Sequence, residues 1–268
     1  MHPRLSVDQL CFPGASIGEF VDHCAALDAH HVVLTSPGLL ADGGAEEALA
    51  ALHDGPRVEA VNHPFAIHPD LELDDGQAVA TLERLIPVAA ELGARSLYLL
   101  TGGRGRLDWA AAATAFVELV APCVDLAERN GVRLMLENCT GLYADIHIAH
   151  TLTDAATLAE VAGLGLCIDL QFCWVEGDLG NALGRAVPRA GLVQVSDYVL
   201  GDRALPGRAV PGDGTIPLER LLGQLLELGY EGMFDLELLG PRIDEEGHRA
   251  ATARAAARTG EILTSLGV

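Results

Sequence analysis

The sequence predicts an α/β fold, a single (β/α)8 barrel occupying residues 1–268. Three observations predict it. Short apolar runs alternate with helix-length segments eight times along the chain, the pattern of a parallel sheet. The 268 residues match the typical size of one eight-fold barrel. Each of the last four apolar runs ends on an oxygen-bearing side chain, and strand C-termini are where such barrels keep their chemistry.

The elements follow in order. Residues 5–12 read as strand one, and Ser16 with Glu19 forms a capping box that starts a helix through 29. Residues 31–35 are strand two, and a helix covers 45–52. Residues 58–62 are strand three, ending in His63-Pro64-Phe65. A helix over 77–92 is stopped by Gly93. Residues 96–100 are strand four, followed by the glycine-rich run 102–106. A long helix over 108–130 is bent by Pro122. Strands five to eight end at Glu137, at Asp169, at or just past Gln194, and at Glu237, with helices over 154–162, 178–187 and 218–228 between them. The last helix spans 245–266. An open doubly wound sheet is the competing topology, but Gly102-Gly103-Arg104-Gly105 does not fit a dinucleotide fingerprint, so no nucleotide cofactor is expected.

Composition removes whole classes of function. The formal net charge of −21 argues against nucleic acid and against anionic membrane surfaces as partners. The chain contains no lysine. That excludes a Schiff-base aldolase, a pyridoxal-phosphate (PLP) enzyme and a Walker phosphate loop. Six scattered cysteines form no C-x-x-C pair and read as thiols of a reducing compartment. The N-terminus lacks a signal-peptide pattern and no uninterrupted apolar run reaches membrane-spanning length. The expectation is a cytoplasmic protein acting on a small-molecule substrate, with homo-oligomer formation left open.

Glu137, Asp169, Gln194 and Glu237 recur roughly one βα unit apart, so neighbouring strands would bring them together at the barrel mouth. Three carboxylates at one place repel, and each is driven towards protonation unless a cation joins them. A metal site of Glu137, Asp169, Gln194 and Glu237 resolves this; the plainer alternative is four unrelated polar strand ends. An all-oxygen donor set favours Mn2+ or Mg2+ over Zn2+. Around the mouth, His63 and Arg208 are candidates for gripping substrate oxygens, against structural roles for both. Phe172 and Trp174, in a chain poor in aromatics, are candidates for an apolar substrate wall. His147 and His150 read as surface residues. The run 102–106 reads as a surface turn sooner than a phosphate cradle.

The order Glu, Asp, strand-seven ligand, Glu resembles the xylose-isomerase-like barrels of sugar phosphate isomerases and epimerases, over about residues 4–262 and most strongly from 131 onward. Most members carry His on strand seven, within His-x-Lys-Asp; here the stretch is Gln194-Val195-Ser196-Asp197. Gln at that place, with Pro206-Gly207-Arg208-Ala209-Val210-Pro211-Gly212-Asp213-Gly214, is similar to the hydroxypyruvate isomerase branch and its motif Pro-Gly-Arg-x-Glu-Pro-x-x-Gly. Val210 stands where that branch has Glu, and the connection from Gln194 to Pro206 is longer. Phe172 stands where the family has a substrate-holding His, which argues against hydroxypyruvate and simple sugars as substrates. The resemblance implies proton abstraction beside a carbonyl and a metal-stabilised enediolate, with Glu137 and Glu237 as base and acid. It leaves an isomerase or epimerase and a β-eliminating lyase or dehydratase as alternatives. An apurinic endonuclease needs more histidines and a basic groove, and a barrel that only binds sugar is a further alternative.

Overall fold

The computed structural model describes residues 1–268. Its strands are β1 (Leu5–Asp8), β2 (His31–Thr35), β3 (Arg57–Pro64), β4 (Ser96–Leu100), β5 (Arg133–Glu137), β6 (Gly165–Asp169), β7 (Ala190–Val195) and β8 (Met233–Leu236). All pair in parallel in sequence order, and β8 returns to β1, so the sheet closes into a barrel. Helices fill the connections, as crossovers between parallel strands usually do.

Period-two alternation divides each strand between two environments. Val33, Ala60, Tyr98, Met135, Cys167 and Leu192 form a small buried cluster inside the barrel. Their strand neighbours Val32, Val61, Leu97, Leu136, Ile168 and Val193 belong to the larger shell between barrel and helices. Residues two positions on from the inner cluster also face inward. This parity places Glu137, Asp169, Gln194 and Glu237 at the C-terminal end of the barrel lumen.

Of the segments that differ from expectation, three do so for a clear local reason. β1 stops at Asp8 because the Asp8 carboxylate accepts from the Leu10 amide at 2.7 Å and turns the chain into a 3-10 segment, Gln9–Cys11. β3 continues through His63 to Pro64, paired with β4 to its end. The last helix is two, Pro241–Glu246 and His248–Ser265, separated at Gly247, whose φ of 92° no helical residue adopts.

The helix Trp109–Arg129 has 21 residues and a mean hydropathy of 1.6 in its most apolar window, so by length and composition alone it meets the requirement for a membrane span. Its buried residues Ala112, Phe116, Val120, Cys123 and Ala127 recur every three or four positions and lie against the barrel. Pro122 sits inside it.

Candidate active site

Glu137, Asp169 and Glu237 are all buried, and one carboxylate oxygen from each lies within 4.8 Å of the others. They are held from several directions. Asn138, directly after β5, locks the end of β6. Its side chain donates to the Asp169 carbonyl at 3.0 Å and accepts from the Asp169 amide at 2.9 Å. His147 is buried, which corrects its reading as a surface residue. It reaches back to accept from the Thr101 amide at 3.0 Å through Nδ1. That acceptor role leaves Nε2 as the protonated nitrogen, donating to the Glu137 carbonyl at 2.8 Å. Burial lowers its pKa to about 3, which keeps this tautomer uncharged.

Gln194 is fully buried beside Asp169, its register partner on β6. Its amide nitrogen donates to the Tyr98 hydroxyl at 3.3 Å and to the Glu237 carboxylate. Its carbonyl oxygen is buried and has no donor. Tyr98 in turn donates to Asp8 at 3.1 Å, and Asp235 accepts from Ser6 at 2.6 Å. A second layer of acid therefore lies beneath the first. Burial raises Asp8 to about 6 and Asp235 well above the usual carboxylate range, Asp235 also through the nearby charge of Asp8.

Arg208 is 3% exposed and belongs to the acid cluster itself. One terminal nitrogen donates to Asp169 and to Glu237, both at 2.7 Å; the other donates to Ser196 at 3.0 Å. Its guanidinium lies 5.1 Å from the centre of the Phe172 ring. Burial alone would lower its pKa, but Asp169 and Glu237 outweigh that and raise it. Burial raises Glu137 well above its usual range, reinforced by Glu237 and Asp169. Glu237 is raised to about 8, by burial first, with Arg208 opposing. One buried cation thus faces three crowded carboxylates.

The loop after β7 brings Arg208 there. Asp197 accepts from the amides of Gly212, Gly214 and Ile216 at 2.9 to 3.0 Å and folds the chain back across the mouth. A Cβ on Gly214 would lie 2.3 Å from an Asp197 carboxylate oxygen, so this wrap requires glycine there. Gln171 donates to the Gly207 carbonyl at 2.9 Å and fixes the other limb.

Above the carboxylates is a cavity of about 420 Å³, lined by Glu137, Glu237, Arg208, Phe172 and Trp174 among others. Asp169 and Gln194 lie below its surface. His63 does not line it. By strand parity it faces the helices with Val61 while Asn62 faces the lumen, and Asn62 is the residue that reaches the cavity. His63 Nδ1 is instead 2.8 Å from the Ser36 hydroxyl, and its Nε2 is buried without a partner. The run 102–106 is structural. Arg106 pairs with Glu72 at 2.9 Å, and a Cβ on Gly102 would collide with the Ala66 carbonyl at 1.9 Å.

The placement of His63 has a measurable consequence. Burial lowers its pKa from 6.5 to about 4. The folded state resists protonating it, so its contribution to stability is complete above pH ~6.5 and is lost as pH falls towards 4. The difference in unfolding free energy between wild type and His63→Gln is expected to narrow by up to about 1.4 kcal/mol per pH unit across that window. Urea titrations at several pH values measure it. A constant difference would show that the imidazole is free to charge.

Residues 21–259 match the family described as xylose isomerase-like TIM barrel. A curated relative from Streptomyces coelicolor, provisionally named a hydroxypyruvate isomerase, is 28% identical over 167 residues, which is 59% of this chain and 57% of that protein. The match thus spans little more than half of the relative's length. Among solved structures, protein SMc04130 from Sinorhizobium meliloti 1021 superposes with a TM-score of 0.83 at 25% identity, covering 97% of this chain and 98% of the other. The IOLI protein, solved with a bound zinc atom, gives 0.82 at 16% identity over 98% and 99% of the two chains, a likeness of fold.

Proposed function

Because the chain belongs to the xylose isomerase-like TIM barrel family, we propose that it is a divalent-metal-dependent isomerase or epimerase acting on a small hydroxy-carbonyl compound. The observation that carries this reading is the convergence of Glu137, Asp169 and Glu237 next to the unpartnered carbonyl oxygen of Gln194, with Glu137 and Glu237 open to the cavity. Three anionic oxygens and one neutral carbonyl are the donors a hard divalent cation takes, so these residues fit such an ion. A bound cation would supply the Lewis acidity that makes a C–H beside a carbonyl acidic enough to lose its proton.

The chain's own groups do the rest. Glu137 and Glu237 both reach the cavity, and both are held above the usual carboxylate range. One can take a proton from substrate while the other returns one. Arg208 neutralises Asp169 and Glu237 and lies at the cavity wall. The apolar walls exclude water from the proton in transit.

Proton NMR of candidate substrates in D2O, with the Mg2+-loaded protein, tests the reading. The expected result is exchange of the α-proton with the carbon skeleton retained. Loss of a β-substituent during exchange would make the protein a lyase, and no exchange with any hydroxy-carbonyl compound would overturn the proposal.

Gln194 sets which ion is held. An amide carbonyl is a neutral hard ligand and donates less charge than imidazole, so the site should take Mn2+ or Mg2+ ahead of softer ions. Gln194→His is expected to shift preference towards Zn2+ and Co2+, and Gln194→Leu to lose much of the affinity. Calorimetric titration of the three proteins measures both. Identical affinities and ion preference would remove Gln194 from the ligand set.

A further inference from the structure

From the cavity above the carboxylates, we infer that the substrate carries an aromatic or branched apolar substituent on the carbon skeleton beyond its hydroxy-carbonyl head, and is not a free polyol. This rests on the isomerase reading of the same site. The floor is polar, but the walls, formed by the loops after β5, β6 and β7, are apolar: Leu142, Tyr143, Phe172, Trp174, Val175 and Leu205.

Several polar groups on those walls are already engaged, which leaves the Tyr143 hydroxyl, the Trp174 indole N–H and the Asn62 side chain among the few that could meet a guest. Gln171 donates to the Gly207 carbonyl at 2.9 Å and the Tyr198 hydroxyl to the Asp202 carbonyl at 2.7 Å. The Thr140 hydroxyl accepts from the Leu142 amide at 3.4 Å. Arg208, the cation in this lining, is bound to Asp169, Glu237 and Ser196, so no free cation in the walls awaits a phosphate. A polyhydroxyl tail buried here would exchange water for apolar wall at most of its hydroxyls, and each unmatched group is costly.

Two further observations point the same way. Leu142, Val175 and Leu205 at the rim are 72%, 68% and 46% exposed, and an apolar substituent is what their cover against water requires. The aromatic walls are also fixed in place. Phe172 meets Tyr143 edge to face at 6.1 Å beneath the guanidinium of Arg208, and Trp174 lies 6.4 Å from the Tyr198 ring. Rigid rings around a volume of about 420 Å³ suit a ring-bearing guest of more than three carbons.

The experiment compares three probes with the Mg2+-loaded protein: hydroxyacetone, a ketohexose, and a 1-hydroxyalkan-2-one bearing a terminal phenyl ring. Exchange of the α-proton in D2O gives kcat/KM for each. The phenyl compound is expected to exceed the other two by roughly tenfold or more. Phe172→Ala and Trp174→Ala should each lower kcat/KM for the phenyl compound by a larger factor than for hydroxyacetone. Equal or faster exchange of the ketohexose would overturn the inference and leave the isomerase reading standing. If no probe exchanges, the isomerase reading fails, and quenching of Trp174 fluorescence decides the inference alone. Saturable quenching by the phenyl compound, absent with the ketohexose and lost in Trp174→Phe, would uphold the apolar subsite, whereas no quenching would overturn it too.

Discussion

Glu237→Gln is expected to lower α-proton exchange in D2O by about 10²–10⁴-fold, the usual contribution of a positioned general acid or base. The amide keeps the shape of the side chain and still offers an oxygen to a cation, but it cannot take up a proton. Glu137→Gln should have an effect of the same size, since Glu137 also reaches the cavity, from the end of β5. The fold should survive both changes. Glu137→Gln removes a buried carboxylate that makes no ion pair, so the thermal melt of that metal-free variant should match or exceed wild type, whereas Glu237→Gln also removes one of the two carboxylates paired with Arg208. A variant that keeps a tenth of wild-type exchange would take that residue out of the acid/base role.

The second large effect concerns Arg208. Arg208→Met should destabilise the chelator-treated protein by about 3–5 kcal/mol, because it leaves Asp169 and Glu237 buried without their partner. A divalent cation bound to the same carboxylates would do part of the same neutralising. Added Mg2+ should therefore raise the melting temperature of the variant by more than it raises that of wild type. An equal rise in both proteins would show that ion and guanidinium do not act on the same charges.

The lumen-facing carboxylates were legible in the sequence because two simple periods determine them: one βα unit between strands and two residues within a strand. Glu137, Asp169 and Glu237 needed nothing else to be brought together. His63 shows where that reading stops. Taken as the first residue after β3, it was expected at the mouth. The strand in fact runs on to Pro64, and parity inside a strand then turns it to the helices and gives the lumen to Asn62. A two-residue difference in a strand end is enough to exchange the two roles. Asp8 was hidden for the same reason, within a first strand read four residues too long.

The place of His147, and the pairing of Arg208 with the acid cluster, lay beyond sequence reasoning, although Arg208 itself was a candidate at the mouth. Both stand in loops at least ten residues past their strands, and only the path of the loop brings them back, His147 to the Glu137 carbonyl and Arg208 to Asp169. Tyr98 sits in an apolar run and reads as core, which it is, but its hydroxyl also accepts from the Gln194 amide and donates to Asp8. A tyrosine inside an otherwise aliphatic strand was the one available signal.

The loop that carries Arg208 is gathered by a single carboxylate, that of Asp197, on one side and by the Gln171 contact to Gly207 on the other. The stretch between those two ties includes Leu200, which is 66% exposed. Adding residues to such a tethered surface segment costs little in closure entropy. The ceiling of the cavity can thus be lengthened or recomposed while the proton-handling floor stays as it is. Reach towards differently sized guests would then be tunable by insertion in this one segment, which marks it as the place for directed evolution to begin.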